Sequence, residues 1–126
     1  MINFRSVFRS LSFALQGIRY IIKTQNNARF HLLATFLVLI LSIYLHLNLT
    51  SWAIILFSVA LVWITECFNT AIEKLFDLVH SDSHPIVKYG KDAAAAAVLI
   101  SAILSVLLGI LTLGPPLYLK ILSFIR

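Results

Sequence analysis

Residues 64–77 read ITECFNTAIEKLFD and continue an apolar run that starts near Trp52. Four polar side chains, Glu66, Asn69, Glu73 and Asp77, stand in this stretch, which is otherwise hydrophobic enough to enter a bilayer. At 100° per residue all four project from one helix face within an arc of about 80°, in a row about 16 Å long. A carboxylate in hydrocarbon costs about 2.5 to 3.5 kcal/mol on insertion scales, so a helix carrying three must turn them toward a polar interior or toward partners. Interhelical hydrogen-bond glue would account for one such residue. Four on a single face point to a site.

Composition supports the bilayer reading: 60% of the 126 residues are hydrophobic, 12% are charged, and the mean hydropathy is +0.96. A soluble domain of this length does not have that balance. Crossing the hydrocarbon takes about 20 predominantly apolar residues, and three stretches supply them, 30–49, 52–76 and 93–114. No secretory signal is expected at the start, because Arg5, Arg9 and Arg19 interrupt any apolar segment there. The single cysteine, Cys67, excludes an intrachain disulfide and a cysteine metal cluster and reads as a small buried side chain. The alanine run 93–97 reads as a face for close helix packing, and no repeat or linker divides the chain, so residues 1–126 are expected to form one domain.

Positive residues orient the spans. Arg5, Arg9, Arg19, Lys23 and Arg29 precede the first span, and Lys74, Lys88 and Lys91 flank the connection between the second and third. The other connection has no Lys or Arg, and Lys120 and Arg126 alone follow the third span. The N-terminus and the long loop are therefore expected on the cytoplasmic side. The net charge of +5 fits this topology and anionic headgroups; outside the spans there is no basic and aromatic platform for nucleic acid. Residues 1–24 have Phe4, Val7, Phe8, Leu11, Leu15, Ile18 and Ile22 on one helical face and basic residues to one side, as in a helix lying in the interface. Phe13 stands opposite the apolar stripe, where it would cover a ligand or be simply exposed. Residues 24–27, TQNN, read as the turn into the first span.

All five acids, Glu66, Glu73, Asp77, Asp82 and Asp92, fall between positions 66 and 92, beside Lys88, Lys91, His80 and His84. Carboxylates hold Mg²⁺ through oxygen, lysine offers a point charge to phosphate, and a carboxylate held partly out of water can serve as a base near neutrality. The cluster suits a metal-bound polyanion at a membrane surface. Known phosphate cradles are absent. Gly90-Lys91 has the end of a Walker A pattern, but Pro85 replaces its first glycine and Asp92 its Ser or Thr.

The segments ECFNTAIEKLFD at 66–77 and HPIVKYGKDAAAAAV at 84–98 resemble the prokaryotic diacylglycerol kinase and undecaprenol kinase family, whose signature is E-x-x-N-[ST]-A-x-E-x-x-x-D followed by K-D-x-x-x-A-A-V. The likeness extends through Gln16-Gly17-Ile18-Arg19 and across all three spans. It implies an all-α membrane protein, an amphipathic surface helix plus three transmembrane helices assembled as a homotrimer in the bacterial inner membrane. Such a protein would move the γ-phosphoryl group of MgATP to the hydroxyl of undecaprenol or diacylglycerol. Position by position, the resemblance makes Glu66 the catalytic base and Glu73 the metal ligand. It places Phe13, Asp82, Ser83, His84, Lys91 and Asp92 with Glu73 and Gln25 at the nucleotide. Asn69, Asp77 and Arg19 would support the site or the lipid substrate. His84-Pro85 and the small residues after Asp92 look more like the undecaprenol branch.

One departure concerns the metal. Where the family usually has a second liganding Glu, this chain has Gln25, which offers a carbonyl oxygen without charge, so weaker Mg²⁺ binding is expected. That change also keeps open a catalytically impaired structural homologue. Another alternative is an oligomeric proton or cation conductor lined by Glu66, Asn69 and Glu73, which gives no role to the acid and lysine loop or to the basic surface helix.

Overall fold

The computed structural model describes residues 3–79 and 84–125. They form helices α1 (Phe4–Thr24), α2 (Asn26–Tyr44), α3 (Leu49–Val79) and α4 (Pro85–Ile125), with no strand among the described residues. The last three are each long and apolar enough to cross a membrane. The all-α architecture expected from hydropathy is the one observed.

Helix α1 starts where the Asn3 side chain accepts a hydrogen bond from the Ser6 N–H, satisfying one of the donors a helix start leaves open. Its apolar stripe meets little protein: Phe4, Phe8, Leu11 and Leu15 are all exposed, and Ile21 is its one buried residue. The expected turn at 24–27 contracts to Gln25, which alone takes an extended backbone. Arg29 makes so short a turn possible, because its guanidinium reaches back to the carbonyls of Ile22 and Lys23 and satisfies the end of α1 from within α2.

The far end of α2 closes with His46 in the left-handed region at φ 51. Its N–H donates to the Ile43 carbonyl, and the next N–H, of Leu47, donates to that of Ser42, the paired bonds of a Schellman ending. Asn48 then caps α3 by accepting from the Ser51 N–H at 2.9 Å.

Two hydrogen bonds fix how α2 lies on α3. Gln25 bonds Glu73, and ten residues along α2 Thr35 bonds Trp63, ten residues back along α3. The helices are antiparallel in a single register. Fully buried Ala28 falls between those contacts, level with buried Thr70, where a small residue lets the helices close. Helices α3 and α4 share the longer seam. Asp77 meets Lys91, Thr65 Oγ1 and Ser101 Oγ share a 2.8 Å hydrogen bond, and Ser105 Oγ donates to the Ser58 carbonyl. Thr35, Ser42, Ser58 and Thr65 each also donate to a carbonyl of their own helix, an outlet for hydroxyls away from water.

Helix α4 differs from the expected span by starting at Pro85 and running past Pro115 and Pro116 to Ile125. At its start, Pro85 occupies the first helical position, where no N–H is needed, and the His84 Nδ1 accepts from the Ile86 N–H. At its end, contacts on both sides of the proline pair hold the last turns in line. Leu113 and Leu117 pack with Ile55 and Leu45, and the Lys120 ammonium bonds the Tyr44 carbonyl while lying 4.1 Å from that ring's centre.

Candidate active site

The site is built on the α3 face that carries the acidic row. Residues 49–65 contain no charge, about 25 Å of helix, so Glu66 lies near the α1 end of a hydrocarbon layer about 30 Å thick. It is 1% exposed, and its Oε2 has no hydrogen-bond partner. That is costly for a carboxylate.

Two turns on, Glu73 is held by amides on both oxygens. Asn69 Nδ2 donates to Oε1 at 3.0 Å, and Gln25 Nε2 donates to Oε2 at 3.3 Å. Gln25 can do this because it is the lone non-helical residue between α1 and α2 and its side chain makes no cap bond. Asn69 is buried, with its Oδ1 unpartnered. One turn further, Asp77 is more open and accepts from Lys91 at 2.8 Å and Lys74 at 2.9 Å. The α2–α3 register and the α3–α4 seam thus bring Gln25 and Lys91 into one ladder with Glu66, Asn69, Glu73 and Asp77.

The other sequence candidates lie elsewhere. Asp92 is exposed beside Lys91. His84 caps α4. Phe13 and Arg19 are exposed on α1 and form no hydrogen bond or ion pair with the described residues of the ladder. Asp82, Ser83 and His80 lie outside the described residues. The structure adds His31, which the sequence reading did not place in the site. Its Nε2 is buried without a partner, and it lies within electrostatic range of Glu66. A histidine inside the first apolar span was the available signal; its level against α3 was not.

Mg²⁺ carried on a nucleotide asks a protein for one or two carboxylates and takes its other oxygens from phosphate and water. Among the described residues no three His, Cys, Asp or Glu side chains gather as a closed cage. The donors at Glu73 fit the lesser demand, since the carboxylate, the Gln25 amide oxygen and the orphaned Asn69 Oδ1 are all hard oxygen ligands.

The family described as prokaryotic diacylglycerol kinase matches residues 12–113. The chain belongs to this family of membrane lipid kinases. It is similar to an undecaprenol kinase of Bacillus subtilis (strain 168), 37% identical over 110 residues that make up 87% of this chain and 89% of the relative. It also resembles a diacylglycerol kinase of Synechocystis sp., 38% identical over 86% of this chain and 62% of that protein, and one of Escherichia coli (strain K12), 28% identical over 83% and 86%. Membership makes the chain a phosphotransferase to an alcohol group.

Proposed function

We propose that this kinase transfers the γ-phosphoryl group of MgATP to the primary hydroxyl of a membrane lipid alcohol at the cytoplasmic face, working as a homotrimer. Undecaprenol is the favoured acceptor, in keeping with the relative named undecaprenol kinase that matches along nearly its whole length. The observation that carries the reading is Glu66. A buried carboxylate with an unpartnered oxygen, two turns from an amide-held Glu73 on the same helix face, has the makings of a base beside a phosphate site.

The division of labour follows the ladder. Glu66 Oε2 takes the proton of the lipid hydroxyl as its oxygen bonds the γ-phosphorus. The bond from that phosphorus to the β–γ bridging oxygen breaks, ADP leaves, and the proton passes from Glu66 to water. Glu73 would hold Mg²⁺ with help from the Gln25 and Asn69 carbonyl oxygens; the bound cation offsets phosphate charge. Lys91, at the open end of the ladder, would meet a nucleotide arriving from water, with the exposed Asp92 next to it in sequence. Catalysis of this kind comes from positioning and charge neutralisation.

The test is radiolabelled ATP with the chain in vesicles containing undecaprenol, diacylglycerol or no lipid alcohol. Wild type should label lipid, and Glu66→Gln should lose about 100-fold or more of the rate, the usual range for a general base. No labelled lipid with wild type, or undiminished label with Glu66→Gln, would overturn the proposal.

A further inference from the structure

An apolar cleft of about 460 Å³ runs between α2, α3 and α4, from Phe30 at one end past Ile55 and Val106 to Leu117 at the other. From position 102 to 117 on α4 its lining covers about 22 Å. Glycines help keep it open, since a Cβ on Gly109 or Gly114 would meet nothing within 4 Å. The hydroxyls in its wall are already spent. Thr35 and Ser58 donate within their own helices, and Ser105 donates to the Ser58 carbonyl. Walls of this kind forfeit dispersion contacts when nothing lies against them, so an apolar chain gains by entering.

Size narrows the occupant. A helix with its side chains is about 10 Å across, so a length of about 22 Å fills on the order of 1,700 Å³, more than three times the cleft. A single fatty acyl chain is thin enough. Charge then decides which way its head points. The Phe30 end offers no Lys or Arg, His31 being the one ionisable group in the lining, and the neighbouring Arg29 is bound to the carbonyls of Ile22 and Lys23. At the other end Lys120 stands one turn beyond Leu117 on α4. It is half-buried, held by the Tyr44 carbonyl at 3.0 Å and by the Tyr44 ring. That carbonyl takes one of the three N–H groups of the ammonium, and a phosphate oxygen can take another.

We infer that the cleft binds one acyl chain of an anionic phospholipid from the leaflet opposite the acidic ladder, with Lys120 donating to the headgroup phosphate. Tyr44 lies nineteen residues along α2 from Gln25, about 28 Å from the level of Glu73 and so close to the full thickness of the hydrocarbon. The site is separate from the reaction. Neither Glu66 nor Glu73 lines it, and it needs neither nucleotide nor alcohol. A zwitterionic head suits it less well, because such a head brings its own cation to the phosphate.

The test places wild type, Lys120→Met, Lys120→Arg and Gly109→Leu in nanodiscs of equal phosphatidylglycerol and phosphatidylcholine. Native mass spectrometry then counts the lipids each chain keeps on release into detergent, beside the oligomer mass and the thermal midpoint. Wild type should keep one phosphatidylglycerol per chain. Lys120→Met should hold it about tenfold more weakly, the scale of a hydrogen bond to a charged group, while Lys120→Arg should hold it as wild type does. Gly109→Leu sets a side chain where the tail would lie and should lose the lipid with no loss of midpoint. No phospholipid kept by wild type, phosphatidylcholine kept equally well, no difference between Lys120→Met and Lys120→Arg, or lipid still held by Gly109→Leu would each overturn the assignment. An oligomer that comes apart in Gly109→Leu with its lipid count unchanged would also overturn it, giving the cleft to a second copy of the chain.

Discussion

Gln25 has to break a helix and still reach a site. Its backbone turns the chain from α1 into α2, its side chain makes no cap, and its amide donates to Glu73. A carboxylate here would set two negative groups at hydrogen-bond distance, repelling each other until a cation came between them. Gln25→Glu should therefore lower the thermal midpoint in chelator, regain more stability than wild type on adding Mg²⁺, and reach half-maximal rate at about tenfold lower Mg²⁺, since ligand charge tunes such sites. Thermal scans with and without Mg²⁺, beside a Mg²⁺ titration of the rate, measure this; a variant needing no less Mg²⁺ would contradict it. Asp77 behaves differently because it is open to solvent. Its pairs with Lys74 and Lys91 are surface ion pairs, a kind that adds little to stability. Asp77→Asn should leave the thermal midpoint nearly unchanged while altering the KM for MgATP, by loosening Lys91.

At the scale of helices, the α3–α4 seam sets where Lys91 points. Gly90 faces the Phe76 ring so closely that a Cβ there would stand 2.5 Å from it. Gly90 therefore matters for this approach rather than for any phosphate loop. Gly90→Ala should destabilise by about 1–3 kcal/mol through overpacking, and a second change, Phe76→Leu, should restore much of the loss, a coupling that a double-mutant cycle on thermal stability detects. Additive losses would mean that the ring and Gly90 do not press on each other. The same seam explains why α4 outruns its expected span. Proline disfavours the helical conformation of the residue before it and removes a bond, yet Leu113 and Leu117 dock with Ile55 and Leu45 on either side of the pair.

At the scale of the whole molecule, the chain exposes 9578 Å², against about 6,700 Å² for a folded soluble protein of this mass. Large apolar side chains face outward on the spans, Phe36, Leu37, Leu99, Ile103 and Leu107 among them, so lipid or further copies must cover them. Cross-linking in membranes should give a homotrimer; a ladder ending at monomer would contradict that assembly. The apolar stripe of α1, left without protein partners, belongs with the same covering and suits a helix lying in the interface. How much of this could be read in advance depended on distance along the chain. Periodicity within a helix put Glu66, Asn69, Glu73 and Asp77 on one face, because 3.6 residues per turn is a local rule. Hydropathy found the three spans for the same reason, and matching residues in order gave the family. The resemblance also set Gln25 with Glu73 at the metal position. Only tertiary structure could show the hydrogen bond between them, His31 near the level of Glu66, or prolines persisting in α4, because a register between helices depends on which side chains meet, such as Ala28 with Thr70 or Gly90 with Phe76, and residues dozens of positions apart carry no mark of their meeting.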